Sequence, residues 1–244
     1  MTTRADFLTR IRAQIARTPG GQFPASPTLR PERPREVADT IRRELAERWP
    51  ATLERFEREF ERVGGVLHRV PSVREVPALV GSLARERGAS SVLAWHAGVL
   101  GFDPAPGLAA EKLTCHSMPD TVPDDGERRR LRETIAATPL GLTGVDLVLA
   151  ETGTLILRSG PGRPRSTSLL PACHVAVFDR TALVESLAQV SVFLEAWHAD
   201  DAPGSGINFI TGPSRTADIE LTLTRGVHGP KEVHAIFVDR PLDG

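Results

Sequence analysis

The sequence predicts an α/β domain, a mainly parallel sheet flanked by helices, preceded by a helical N-terminal extension. From residue 66 onwards, short apolar runs alternate with stretches of helical period, which is typical of a parallel sheet with helices on its faces. Some of these runs are apolar at nearly every position, as in Ser91–Trp95, which indicates strands buried on both faces. The expected division is residues 1–62 for the extension and 63–244 for the α/β domain.

The chain has 244 residues and a formal net charge of -1 with a pI near 6.7. This length is enough for one sizeable core. The near-neutral charge argues against a nucleic-acid footprint.

In the extension, Phe7, Leu8, Ile11 and Ile15 recur at helical spacing. Residues 18–34, rich in proline, predict a linker or extended arm. Two further helices are expected. The first ends at Pro50, and the second is closed by Gly64-Gly65.

The end of the chain predicts a hairpin. Ile219, Leu221 and Leu223 alternate with polar residues, and 233–238 is the last apolar run. Residues 226–230, Gly-Val-His-Gly-Pro, would then form the turn between two strands.

Two polar segments follow directly on apolar strands: Glu151-Thr152-Gly153-Thr154, and residues 211–220, which begin Thr-Gly-Pro-Ser-Arg. In open α/β sheets, ligands bind beyond the carboxyl ends of the strands. We therefore expect both segments at that edge.

The second segment is a candidate anion site. Gly212 frees the backbone to turn, Ser214 can cap a helical turn, and Arg215 supplies a forked donor. Thr216 and Asp218 complete the set. The alternative is an ordinary turn in which Arg215 pairs with Asp218.

Glu151 is a candidate for proton transfer or nucleophilic attack, with Thr152, Gly153 and Thr154 beside it as ligand-binding positions. The alternative is a structural carboxylate that accepts hydrogen bonds from nearby main-chain N–H groups.

His228, between two glycines, is the preferred acid–base candidate among the histidines. Its alternative role is that of a turn histidine bonded within its own hairpin. The basic loop 159–168, with Arg165, either covers an anionic substrate or is disordered.

Cys115 and Cys173 are the two cysteines. An iron–sulfur cluster takes about four thiolates, so we expect no such cluster in this chain. Each cysteine precedes a histidine, but neighbouring strand residues face opposite ways, so we expect no zinc site and no other cofactor. No leader-like segment and no run of about 20 apolar residues is evident, so the expected compartment is the cytoplasm.

Four motifs, "ETGTLIL", "SLLPACHVAVF", "ITGPSRTADIE" and "GVHGP", occur in this order and together resemble the lactate-utilization-domain family. The resemblance covers roughly residues 60 to 240. It implies a fold like that of ribose-phosphate isomerases and CoA transferases. It also implies a role as one of three proteins needed to oxidise L-lactate to pyruvate, the two partners carrying iron–sulfur clusters. Enzymes of the related fold use a strand-end glutamate in covalent chemistry, and Glu151 is the analogue by position.

Two hypotheses follow. In the first, the chain is a non-redox subunit of a lactate-oxidising assembly, binding a substrate, an anion or the iron–sulfur partner proteins. In the alternative, it is a stand-alone enzyme on a phosphorylated sugar or an acyl-CoA, with Glu151 or His228 as the catalytic group and Arg215 as the anion anchor.

Overall fold

The computed structural model describes residues 3–17, 31–121, 124–199, 204, 206–217 and 223–242. The helices are α1 (Arg4–Arg17), α2 (Pro34–Arg62), α3 (Val76–Glu86), α4 (Ala97–Leu100), α5 (Ala105–Ala110), α6 (Asp125–Ala137), α7 (Ser166–Leu169) and α8 (Leu187–Ala199). The strands are β1 (Val66–Val70), β2 (Ser91–Ala94), β3 (Thr114–Ser117), β4 (Leu140–Gly144), β5 (Leu147–Leu149), β6 (Thr154–Ser159), β7 (Cys173–Asp179), β8 (Leu183–Val184), β9 (Gly206–Ile210), β10 (Arg215–Ala217), β11 (Leu223–Arg225) and β12 (Glu232–Val238).

The main sheet has six strands in the order β1-β12-β7-β4-β2-β3. Every neighbouring pair in it is parallel. Its central strand β7 is buried at all seven positions, as expected for a parallel strand covered on both faces. The predicted α/β fold with a mainly parallel sheet flanked by helices is confirmed.

A second sheet of four strands, β8-β5-β6-β9, stands apart from the main sheet. Strand β6 pairs antiparallel with both β5 and β9. One core cluster joins its side chains Val148, Leu155 and Leu157 to those of the main sheet. A second cluster joins Leu147, Ile156 and other side chains to α2 and α8. Strands β5 and β6 of the small sheet are therefore buried on both faces, whereas β9 is partly exposed.

The expectation that the two polar segments lie at the carboxyl edge of the parallel sheet is wrong. The strands that precede them are β5 and β9, and both belong to the four-stranded sheet. Residues 150–153 turn the chain back on itself, so β5 and β6 become antiparallel neighbours. The rule for parallel sheets does not apply to strands paired in this way.

The expected terminal hairpin is also wrong. Strand β11 pairs antiparallel with β10, whereas β12 enters the main sheet between β1 and β7. The alternating residues Ile219 and Leu221 lie outside the described residues. Six of the seven residues of β12 are buried, and this long-range burial places the strand in the sheet interior.

Helix α2 continues through Pro50 instead of ending there. A proline inside a helix costs about 3 kcal/mol. Both halves of α2 are buried, with Ala38 and Leu45 in the small-sheet cluster and Phe56 and Phe60 in the main core. Packing on both sides of the proline outweighs the lost main-chain hydrogen bond.

Candidate functional site

The two polar segments meet through three threonines. The β6–β9 pairing sets Leu155 opposite Ile210, which brings the hydroxyls at the strand ends together. The Thr154 Oγ1 atom lies 2.7 Å from that of Thr152 and 2.8 Å from that of Thr211. Thr154 is buried, so this hydroxyl chain closes the end of the small sheet.

The glycines of both segments allow the backbone to approach helix α2. Gly153 has φ +62°, and a Cβ there would lie 2.5 Å from the main chain of Glu59 and Phe60. Gly212 has φ +77°, and its Cβ would lie 2.4 Å from the carbonyl oxygen of Val63. Only glycine fits such a position without strain, and the close neighbour at both sites is protein main chain.

Ser214 and Arg215 also make structural contacts. The Ser214 N–H donates to the Pro230 carbonyl at 2.9 Å, and the Ser214 carbonyl accepts from Gly226 N–H at 3.0 Å. The Arg215 guanidinium donates to the Val63 carbonyl at 2.5 Å, near the C-terminus of α2, where carbonyls lack helical partners. Thr216 lies in β10 opposite Thr224. Asp218, with its suggested pairing to Arg215, lies outside the described residues.

The two proposed catalytic side chains are exposed. Glu151 accepts a hydrogen bond from the N–H of Leu187 at 2.9 Å, at the first residue of α8. This contact matches the structural alternative stated for Glu151. His228 lies in the loop before β12, and Arg165 is exposed at the start of α7.

Apart from Arg165, these predicted residues lie toward the amino end of the main sheet. Pro230 and Lys231 lead directly into β12, and Gly64 and Gly65 lead into β1. The carboxyl edge of the sheet, where ligands of α/β proteins usually bind, is built from other residues.

The strand order of the main sheet reverses between β2 and β4. From β2 the chain passes to β3 at the outer edge, whereas from β4 it passes to β7 and then β12 in the opposite direction. The loops that leave β2 and β4 therefore diverge and open a crevice between them. His96 stands in the first of these loops and Asp146 in the second.

The basic loop after β6 is ordered and lies across this crevice. The Gly162 carbonyl accepts from His96 N–H at 2.8 Å, and the Pro164 carbonyl accepts from the Trp95 indole at 3.3 Å. Arg163 donates to Asp146 at 3.2 Å. The loop joins the ends of β2 and β4, so the alternative of a disordered loop does not hold.

Asp146 is the centre of a half-buried ion cluster. Its Oδ1 accepts from Arg158 Nε at 2.7 Å as well as from Arg163, and its Oδ2 accepts from the Arg158 main-chain N–H at 2.7 Å. Burial lowers the pKa of Arg163, while the neighbouring Asp146 opposes that shift. Two arginines against one carboxylate leave the cluster positively charged.

A cleft of about 460 Å³ opens beside this cluster, at the carboxyl ends of β4 and β7. Its polar lining comes from Arg42 on α2, Asp146, Asp179 and Thr181. Asp179 is buried. Its Oδ1 accepts from the N–H and hydroxyl of Thr181, and its Oδ2 from the N–H of Leu242.

His96 and Asp120 form a looser pair at the same edge. The His96 Nδ1 accepts from the Gly98 N–H at 3.2 Å and lies 3.7 Å from an Asp120 oxygen. A Cβ on Gly162 would lie 2.5 Å from Asp120 and 2.8 Å from His96. The absence of a side chain at Gly162 therefore lets the two groups approach.

A second histidine cluster lies toward the amino end of the sheet. The His68 Nε2 atom lies 2.9 Å from His234 Nδ1, and His234 Nε2 lies 3.3 Å from a Glu232 oxygen that pairs with Arg87. Burial lowers the pKa of both His68 and His234.

His174 is buried and bonded on one side only. Its Nε2 lies 2.8 Å from the Thr143 hydroxyl, and its Nδ1 has no hydrogen-bond partner among the described residues. Burial lowers the pKa of His174 to about 3. Burial likewise raises the pKa of Cys115 to about 11 and that of Cys173 to about 12.

Sequence reasoning missed His96, Asp146 and Asp179. A usable signal was present, because each follows within two residues of a buried strand of the main sheet or ends one. The signal was weak because β4 (Leu140–Gly144) itself was not predicted, so Asp146 did not appear to follow a strand.

Within the described ranges, no group of three or more His, Cys, Asp or Glu side chains is arranged to hold a metal ion. In the same part of the chain, none of the helices combines the length and the apolarity needed to cross a membrane.

A family model described as LUD domain matches residues 53–238. Among curated relatives, the lactate utilization protein C of Halalkalibacterium halodurans is 43% identical over 118 residues, which are 48% of this chain and 51% of that protein. The protein of the same name from Oceanobacillus iheyensis is 32% identical over 173 residues, 69% of this chain and 72% of the relative. In several relatives the match spans about half of their length.

Among solved structures, a DUF162 family protein from Deinococcus radiodurans aligns with a TM-score of 0.51 and 22% identity, covering 78% of this chain and 98% of that one. This likeness supports the fold. The more specific likeness to ribose-phosphate isomerases and CoA transferases stays a prediction. The family model covers most of the chain and agrees with the resemblance carried by the four motifs: the chain belongs to the LUD-domain family.

Proposed function

We propose that this chain takes part in L-lactate utilization as a non-redox binding subunit that works with iron–sulfur partner proteins. The observation that carries the proposal is the LUD-domain match over residues 53–238, together with relatives named lactate utilization protein C.

The two cysteines support the non-redox part of the proposal. Oxidation of L-lactate to pyruvate releases two electrons, which an acceptor must take up. A cluster needs about four thiolates, and this chain has two cysteines. Burial raises the pKa of both thiols, which disfavours the thiolate form that binds metal. We therefore assign electron transfer to separate, cysteine-rich partners.

Growth on L-lactate tests the role. A bacterium that lacks its own member of this family should fail to grow on L-lactate as the sole carbon source, and expression of this chain should restore growth. Growth on glucose is the control. If the chain is expressed in folded form and growth on lactate is not restored, the role is refuted.

Co-purification tests the partners. The tagged chain, co-expressed with the two cysteine-rich proteins of a lactate-utilization system, should retain both through size-exclusion chromatography at micromolar concentration. The brown absorbance of the clusters should migrate with the tag. Separate elution of all three proteins would contradict the subunit proposal.

The alternative is a stand-alone enzyme on a phosphorylated sugar or an acyl-CoA, and the geometry supports it less. Glu151 is bonded to the main chain of α8 and Arg215 to that of α2. Glu151→Gln keeps an acceptor oxygen for Leu187 and should leave growth on lactate intact. Loss of growth with an unchanged thermal midpoint would restore Glu151 to a catalytic role.

A further inference from the structure

We infer that the cleft at the carboxyl ends of β4 and β7 binds a small organic acid that carries a hydroxyl group next to its carboxylate. The choice of L-lactate as the first ligand rests on the proposed function. The location and the chemical class rest on the cleft itself.

The position of the cleft is the first argument. Val99 to Gly101 and Asp146, which line it, lie in the connections that leave β2 and β4, the first of which contains α4. These loops diverge at the point where the strand order reverses, which is where open α/β sheets bind ligands. The volume of about 460 Å³ falls in the usual range for small-molecule sites.

Arg42 is the second argument, because its charge is available to a ligand. Its side chain is 52% exposed and contacts Asp39 at 3.9 Å, a long distance for an ion pair. Its guanidinium also lies 5.1 Å from the centre of the Phe193 ring. A ligand carboxylate can therefore take the forked donor face of Arg42 without breaking a buried contact.

The surrounding charge favours a monoanion. Asp146 is neutralised by Arg158 and Arg163. Arg42 is then the cationic side chain that the described lining of the cleft offers to a ligand, because its own contact with Asp39 is long. A second negative charge on the ligand would be left without a partner.

The carboxylates of Asp146 and Asp179 can accept a hydrogen bond from a hydroxyl group of the ligand. The Oδ2 atoms of Asp146 and Asp179 each accept one main-chain N–H bond. A carboxylate oxygen can accept two hydrogen bonds. Each Oδ2 can therefore also accept a hydroxyl proton, so a hydroxy acid suits the cleft better than a simple carboxylate.

The rest of the cleft is apolar, which predicts how affinity depends on chain length. The apolar residues in its lining are Val99, Leu100, Val145, Phe178, Ala182 and Leu242. Each methylene that enters such a site strengthens binding about fourfold. L-2-hydroxybutyrate should therefore bind about fourfold more tightly than L-lactate.

Calorimetric titration of the full-length chain with L-lactate, L-2-hydroxybutyrate, acetate and inorganic phosphate tests the inference. Arg42→Gln should weaken binding of L-lactate about tenfold, the effect of losing a charged hydrogen bond, and Arg42→Lys should recover part of it. Arg43→Gln is the matched control. Arg43 is the next residue on α2, and its guanidinium bonds to Thr40 and to the Asp39 carbonyl.

Equal affinities of the Arg42→Gln and Arg43→Gln proteins for L-lactate would refute the assignment of the cleft as its binding site. So would the absence of L-lactate binding up to about 10 mM, above typical KM values. Binding of phosphate or acetate as tight as that of L-lactate would overturn the hydroxy-acid class, as would weaker binding of L-2-hydroxybutyrate.

Failure of the site can be separated from failure of the proposed function. If the wild-type chain and the Arg42→Gln protein restore growth on L-lactate equally, the proposed binding site is refuted and the role in lactate utilization is supported. If Arg42-dependent L-lactate binding is measured while growth is not restored, the binding site is supported and the role in lactate utilization is refuted.

Discussion

The hydroxyl of Thr154 lies 2.8 Å from the hydroxyl of Thr211, 57 positions along the chain. This bond joins the two polar segments of the sequence at the end of the small sheet. The Thr154 hydroxyl also contacts Thr152 and is buried, whereas Thr152 and Thr211 are exposed.

Thr154→Val should therefore lower the free energy of unfolding by about 1 kcal/mol, the typical net contribution of an intramolecular hydrogen bond. Its partners can turn to water, which limits the loss. Thr211→Val, at the exposed end of the chain of hydroxyls, should cost less. Urea unfolding of both variants measures the difference, and equal losses would contradict the central place of Thr154.

Gly153→Ala should lower the free energy of unfolding much more than Gly88→Ala, although the two glycines have nearly the same φ. Gly153 and Gly88 have φ of +62° and +61°, but a Cβ on Gly153 meets the main chain of α2, and a Cβ on Gly88 meets no heavy atom within 4 Å. We expect Gly88→Ala to cost about 1–2 kcal/mol. We expect Gly153→Ala to cost about 3 kcal/mol or more.

Chemical denaturation of the two glycine variants separates backbone strain from the clash, because the strain is common to both. If the two losses were the same, the close approach between residue 153 and α2 would be refuted.

Stability should fall in acid because of His174. Burial lowers its pKa to about 3 in the folded protein, against an ordinary value of 6.5. Between these two values the unfolded chain binds the proton and the folded chain does not, so protonation favours unfolding. Above about pH 6.5, His174 therefore does not reduce the free energy of unfolding. As the pH falls from 6.5 toward 3, the free energy of unfolding decreases by about 1.4 kcal/mol per pH unit.

His68 and His234 add to the trend in the same direction, since burial lowers the pKa of both. His174→Gln keeps a polar partner for Thr143 and removes the titrating group. Urea midpoints from pH 4 to pH 7 should therefore vary less steeply in this variant than in the wild type. If the urea midpoint of the variant changed with pH as steeply as that of the wild type, His174 would not be the origin of the acid sensitivity.

Both thiols should react slowly in the native protein. Burial raises the pKa of Cys115 to about 11 and that of Cys173 to about 12, and the thiolate is the reactive form. At pH 8, iodoacetamide should modify Cys115, which is half-buried, before Cys173, which is buried. Peptide mass spectrometry over time gives the order, and unfolding in guanidinium should make both sites react quickly. Faster native modification of Cys173 would contradict the order.

The local pattern of the sequence determined most of the elements and the fold class. Apolar runs such as Ser91–Trp95 predicted buried strands, their alternation with stretches of helical period predicted the α/β fold, and four motifs indicated the family. These features depend on residues close together in the chain, so periodicity and composition are sufficient to find them.

Only the tertiary structure decided which strands pair. An apolar run is equally consistent with a parallel or an antiparallel neighbour, and burial of β12 between β1 and β7 depends on residues more than 50 positions away. For the same reason the sequence placed Glu151 and Arg215 at the ligand edge, whereas the fold puts His96, Asp146 and Arg163 there. Chemistry at a sheet edge depends on the spatial order of the strands, and that order is set by long-range packing.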